Sequence, residues 1–110
     1  MWKVDKSNIQ GQGIFASRWI EKGDIIGHAY DLIGEVNGKY IAGEITVLGL
    51  VHNHNPTPNA KPIIKDNKIY FEALKHINED TEITCNYNDY DNIINIEKPL
   101  EEWQESNYEN

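Results

Sequence analysis

Cysteine occurs once in these 110 residues, at Cys85. That excludes an internal disulfide and a cysteine-rich zinc cluster, and it favours a reducing, intracellular setting. No apolar run approaches the roughly 20 residues a membrane span needs. The start, Met1-Trp2-Lys3-Val4-Asp5-Lys6, is punctuated by charge and lacks the features of a signal peptide. The expectation is a soluble intracellular protein with no membrane association. No long amphipathic helix can be traced before the C-terminal tail. Basic residues are scarce, with 10 Lys and Arg against 18 Asp and Glu and a net charge of −8. Such a surface repels phosphate backbones, so direct nucleic-acid binding is not expected. It suits a basic partner such as a lysine-rich tail, although the same charge also serves solubility alone.

What is present is a modest apolar complement. Phe, Leu, Ile and Val total 27 residues, enough for one small core. The pattern is one of short strands punctuated by turns, which predicts a mainly β domain. Trp2 to Asp5 alternates as a strand, Ser7 to Gly13 is a turn region, and Ile14-Phe15-Ala16 opens the next strand. Glu21-Lys22-Gly23-Asp24 is a turn before a strand from Ile25 towards Tyr30. Asn37-Gly38 signals a type I′ hairpin, because both residues tolerate positive φ. Ile45 to Val51 reads as a buried strand or one helical turn. The prolines and asparagines of Asn53-His54-Asn55-Pro56-Thr57-Pro58-Asn59 exclude regular structure over that stretch. Ile63-Ile64 and Ile69 to Leu74 flank a tight turn at Asp66-Asn67. Alternation in Glu82-Ile83-Thr84-Cys85-Asn86-Tyr87 puts Ile83, Cys85 and Tyr87 on one apolar face, so Tyr87 points inward. Pro99 can open a final helix from Leu100 to about Asn107. Residues 1–110 are expected to form a single domain, with a core over about 2–90 and a tail and helix over about 91–108.

Three separated segments carry candidate chemistry. Gly11-Gln12-Gly13 lets a backbone turn sharply and approach a ligand without a Cβ in the way. The same pattern also makes an ordinary hairpin turn. Asn53 and His54 supply donors and acceptors that can satisfy a buried polar loop, hold a ligand's ammonium or adenine, or simply form surface turns. Tyr87 ends the third segment, where a buried phenol can serve a site or merely bond a backbone carbonyl.

In order and spacing, these segments resemble the SET domain, especially compact viral and bacterial forms without cysteine-rich flanking modules. The matches are Gly11 to Ala16, Lys22-Gly23, Asn53-His54 with Pro58-Asn59, and Glu82 to Tyr87. Two departures stand out: Asn55 replaces the usual serine after Asn-His, and Pro56 is an extra proline inside that motif.

The resemblance implies a β-clip-like fold of short curved sheets with pseudoknot-like C-terminal threading, plus the short C-terminal helix. It implies a protein-lysine methyltransferase that uses S-adenosylmethionine, yields S-adenosylhomocysteine and needs no metal. Its substrate would be a lysine-containing protein or peptide, histone-like or otherwise basic, met in the cytoplasm or, for a viral protein, the host nucleus. Tyr87 would be the active-site tyrosine, beside the transferred methyl. Gly11, Gln12, Gly13, Asn53, His54, Tyr87 and Trp103 would bind the cofactor, and Tyr40, Tyr30, Cys85 and Tyr90 would line the lysine channel. Cys85 stands where relatives often carry an aromatic that limits methyl number, which hints at room for more than one methyl. Compact relatives can dimerise, and a homodimer stays open here although no interface is visible.

Free lysine has a pKa of about 10.4, so a narrow dry channel beside a sulfonium would have to favour the neutral amine. Alignment then does most of the work, and no strong general base is required. Two other readings remain: a catalytically silent SET-like binding module, and a metal-binding β protein using His52 and His54, whose spacing would put them on one face of a strand.

Overall fold

The computed structural model describes residues 1–90 and 93–94. Its strands are β1 (Trp2–Lys6), β2 (Gln12–Ala16), β3 (Ile25–Val36), β4 (Lys39–Ile45), β5 (Asn53–His54), β6 (Ala60–Lys65), β7 (Lys68–Ala73), β8 (Glu82–Cys85) and β9 (Ile93–Ile94). A short helix, α1 (Val47–Val51), precedes β5, and a 3-10 turn, Tyr87–Tyr90, follows β8. The strands form two sheets, ordered β1-β2-β8-β5 and β6-β7-β3-β4-β9. The mainly β expectation is met.

Local chemistry explains most of these elements. The β3–β4 hairpin turns through Asn37 at φ 53° and Gly38 at φ 79°, as a type I′ turn demands. The β6–β7 hairpin does the same with Asp66 at φ 52° and Asn67 at φ 61°. Strand β3 is longer than expected because it runs through Tyr30 to the tip of its hairpin. Register shifts on both of its edges bend it, a common effect of bulges in curved sheets.

The window from Ile45 to Val51 resolves as a helical turn. Thr46 caps it by accepting from the Gly49 N–H at 3.3 Å. Leu48 is fully buried, and α1 lies against β2, β3 and β4. Gly49 is needed there, since a Cβ on it would stand 2.5 Å from the Ala29 carbonyl oxygen. The fully buried aliphatics Ile14, Ile20, Leu48, Ile69, Ile77 and Ile83 together with Phe71 make the core, each contributing about 1.5–3 kcal/mol by leaving water.

Two expectations need correction. The second strand begins at Gln12 rather than Ile14, because pairing with β1 already holds Gln12 against Lys6. Asn53 and His54 do form regular structure, a two-residue strand pairing in parallel with Thr84 and Cys85. The prolines fall just beyond that pair and do not obstruct it. The expected helix after Pro99, and Trp103 with it, lie outside the described residues, as does the tail apart from Ile93–Ile94, which pair in parallel with Tyr40–Ile41.

Candidate active site

Strand β8 is the hub of the site. On one edge it pairs with β2, Ile14 against Ile83 and Phe15 against Glu82. On the other it pairs with β5, Asn53 against Thr84 and His54 against Cys85. Asn59 holds it in place, donating from Nδ2 to the Glu82 carbonyl at 2.8 Å and accepting the Thr84 N–H at 2.9 Å. The Asn55 N–H adds a bond to the Cys85 carbonyl at 3.0 Å. The glycine turn, the Asn-His segment and the Glu82–Tyr87 segment therefore converge on one strand.

At the glycine end, Asn53 is 2 % exposed and reaches across to the turn. Its Nδ2 lies 3.2 Å from the Gln10 carbonyl, 3.1 Å from the Gln12 carbonyl, 3.1 Å from Ser7 Oγ and 2.8 Å from Glu82 Oε2. An amide nitrogen has two hydrogens, so these four acceptors share them. Ser7 Oγ donates to the Glu82 carboxylate at 2.7 Å and accepts the Ile9 N–H at 2.9 Å, which shapes the turn. Gly11 has φ +45° and open space around its missing Cβ. Gly13 has no such space, because a Cβ there would meet Glu82 Oε2 and stand 2.9 Å from its Cδ. The set is rich in acceptors, which suits a ligand group bearing positive charge, such as an ammonium.

At the other end, Asn86 terminates β8 and starts the 3-10 turn, accepting from Asn88 N through its side chain and from Asp89 N through its carbonyl. Tyr87 is thereby thrown inward. Its N–H donates to His54 Nδ1 at 3.0 Å and its hydroxyl donates to the His52 carbonyl at 2.9 Å. Tyr30, Tyr87 and Tyr90 gather with His52, His54 and Phe71: Tyr30 and Tyr90 meet edge-on at 5.8 Å, Tyr87 and Tyr90 lie 6.5 Å apart, and His54 tilts against Tyr87 at 5.0 Å. Cys85 is fully buried beside Tyr90, so the room left by this small side chain is shared with a phenol.

Burial dominates the electrostatics here. It pushes the Tyr30 and Tyr90 phenols and the Cys85 thiol upward, so all three stay protonated. It pushes His52 down to about 4, despite hydrogen bonding to Gly49 that favours the charged ring. The result is a buried, neutral cluster of phenol, thiol and imidazole groups.

The structure thus gathers Gly11, Gln12 and Gly13 with Asn53 at one end of β8, and His54, Tyr87, Tyr30, Cys85 and Tyr90 at the other. Tyr40 is half-buried against the core, opposite Glu35 in β3 and Ile93 in β9, and among the described residues it makes no ring contact with the phenol cluster. The expected sharing of a strand face by His52 and His54 does not hold, since His52 is the C-cap of α1 and only His54 lies on a strand. Among the described residues, no three His, Cys, Asp or Glu side chains are grouped to hold a metal ion.

Ser7, Asn59 and the carboxylate of Glu82 are not singled out by the sequence as site residues, and His52 only as a metal ligand in the alternative reading. Asn59 and Glu82 sit inside matched motifs, which was a usable signal. Ser7 had none beyond its taste for turns.

Comparison with known proteins follows the same lines. The family model of the SET domain matches residues 39–88, from the start of β4 into the 3-10 turn. No curated protein matches the chain. Among solved structures, the chain is similar to a Plasmodium falciparum protein whose name provisionally assigns it to the histone methyltransferases. That likeness has a TM-score of 0.63 and 25% identity, and it covers 79% of this chain and 96% of that one. The matched stretch contains Asn53 and Tyr87, and the glycine turn upstream of it joins them through the pairing of β2 with β8. Motif order, strand arrangement and both likenesses agree: over residues 39–88 the chain is similar to the SET domain, and its fold is similar to that of the Plasmodium falciparum protein.

Proposed function

We propose that this protein methylates the ε-amine of a lysine in a protein or peptide, taking the methyl from S-adenosylmethionine and releasing S-adenosylhomocysteine. The observation that carries this reading is the convergence of the Gly11–Gly13 turn, Asn53 and Tyr87 on β8. The acceptor-rich turn fits the ammonium of the cofactor's amino-acid end. Gly11, Gln12 and Gly13 would contact that end through the main chain, with Asn53 holding the turn in shape, and the backbone around His54 would receive the adenine. Bound there, the cofactor supplies a methyl carbon activated by a positively charged sulfur.

The chain's own residues supply alignment and dryness. The buried phenol wall disfavours an ammonium, so the entering lysine loses its proton to solvent before attack. The Tyr87 hydroxyl and nearby carbonyls orient the amine and stabilise partial positive charge without competing as nucleophiles. Tyr30, Tyr90 and Cys85 line the amine's approach. The net charge of −8 favours a basic substrate segment, in keeping with the histone-directed name of the similar Plasmodium falciparum protein.

The test is transfer of radiolabel from S-adenosylmethionine to lysine-rich peptides, alongside calorimetry of cofactor binding. Labelled lysine is the expected result. Binding without any labelled peptide favours the silent module, and absence of binding removes the reading.

A further inference from the structure

His52 is 4 % exposed, and no role above uses its side chain. A histidine withdrawn from water is costly unless both ring nitrogens find partners, and here both do. Nδ1 lies 2.5 Å from the Gly49 carbonyl oxygen, which can only accept, so Nδ1 carries the proton. Nε2 is then an acceptor, and the Tyr90 hydroxyl stands 3.3 Å from it. The ring meets Phe71, Tyr87 and Tyr90 edge-on at 4.8, 5.3 and 6.1 Å, so it cannot turn without repacking all three. Its own carbonyl holds the Tyr87 hydroxyl. One residue therefore directs two phenols, Tyr87 through the main chain and Tyr90 through the side chain. An apolar residue of similar size would keep the first bond and lose the second.

We propose that His52 is a positioning residue whose neutral imidazole fixes the Tyr90 hydroxyl beside Cys85 and Tyr30, and so shapes the wall next to Tyr87 where the lysine amine binds. The proposal rests on the methyl-transfer reading for its kinetic consequence, but not for the hydrogen-bond geometry. The titratable groups facing the ring are His54, Tyr87 and Tyr90. Burial among them keeps the ring neutral at ordinary pH, with a pKa pushed down to about 4.

A double-mutant cycle tests it, with His52→Phe, Tyr90→Phe and the double variant assayed on a basic peptide. Each single change is expected to lower kcat about tenfold, the worth of one buried orienting hydrogen bond. The double variant is expected to lose no more than Tyr90→Phe alone, while the KM for S-adenosylmethionine stays within about twofold throughout. Multiplying losses, or an unchanged kcat in His52→Phe, overturns the proposal. Nitrogen NMR of the wild-type protein gives a readout independent of activity and of variant folding. It should find His52 neutral and protonated on Nδ1 from roughly pH 8 to pH 5. A ring protonated on Nε2 overturns the proposal even if methyl transfer is confirmed. If wild type transfers no methyl, the functional reading fails and the NMR tautomer alone decides the placement of His52.

Discussion

The carboxylate of Glu82 occupies the space that a side chain on Gly13 would need. A Cβ there would meet Glu82 Oε2 and come within 3.1 Å of Asn53 Nδ2. The second glycine of the turn is thus required by a residue almost seventy positions later, through the pairing of β2 with β8. Gly11 is required for a different reason, its backbone at φ +45°, with no atom in the way of a Cβ.

These two glycines should respond differently. Gly13→Ala must displace Glu82 or Asn53 and is expected to cost about 1–3 kcal/mol by overpacking, with a clear loss of cofactor affinity. Gly11→Ala pays only for a left-handed backbone, about 1–2 kcal/mol, and leaves the Asn53 contacts intact. Urea denaturation and calorimetry with S-adenosylmethionine separate the cases. Equal affinity in Gly13→Ala and wild type counts against the turn as a cofactor site.

Tyr87→Phe is expected to reduce turnover on the order of 10²-fold, because the hydroxyl acts on the reacting amine. Cofactor affinity should change little. Stability should also fall by about 1–3 kcal/mol, since the buried His52 carbonyl loses its donor. Unchanged turnover would remove Tyr87 from the mechanism.

Asn59→Ala removes both clamps on β8, leaving the buried Thr84 N–H and the Glu82 carbonyl without these bonds. A loss of about 2–4 kcal/mol in unfolding free energy is expected. A loss within about 0.5 kcal/mol, the size of an ordinary surface change, would show that β8 is held without Asn59.

His52 predicts an acid weakness. Its folded pKa, pushed down to about 4 by burial, lies below the unfolded value of about 6.5, so the unfolded chain binds more protons between those values. The stabilisation is full above about pH 6.5 and is lost as pH falls towards 4, on the order of 3 kcal/mol in all. Carboxylates titrate in part of the same range, so the readout is the difference between wild type and His52→Phe. The variant's stability should fall less steeply between roughly pH 6.5 and 4.5. Parallel curves would mean that His52 charges as easily folded as unfolded.

Much of the fold was legible locally. Asn37-Gly38 and Asp66-Asn67 are turn formers whose backbone preferences need no tertiary support. Alternation in Glu82 to Tyr87 placed Ile83 and Cys85 on a buried face, as β8 shows; Tyr87 is inward as expected, but the 3-10 turn after β8 and not the strand puts it there. Asn53-His54 was misread because a two-residue parallel strand depends on a partner thirty residues on, which no local preference encodes. Ile45 to Val51 stayed open between strand and helix, since a short apolar run fits either and only packing on β3 with the Thr46 cap decides.

By itself the sequence determined the residue types of the site, their order along the chain, its acidic balance and the turns between strands, since each of these is set by composition or short-range backbone preference. Only the tertiary structure decided which groups meet: Glu82 against Gly13, Asn53 against the turn carbonyls, and His52 between two phenols. Those contacts span 35 to 69 residues of chain, and they depend on the pairing of β8 on each of its edges. Desolvation is likewise a property of the packed state. The same His52 that is an ordinary imidazole in an unfolded chain becomes a neutral hydrogen-bond acceptor once water is excluded.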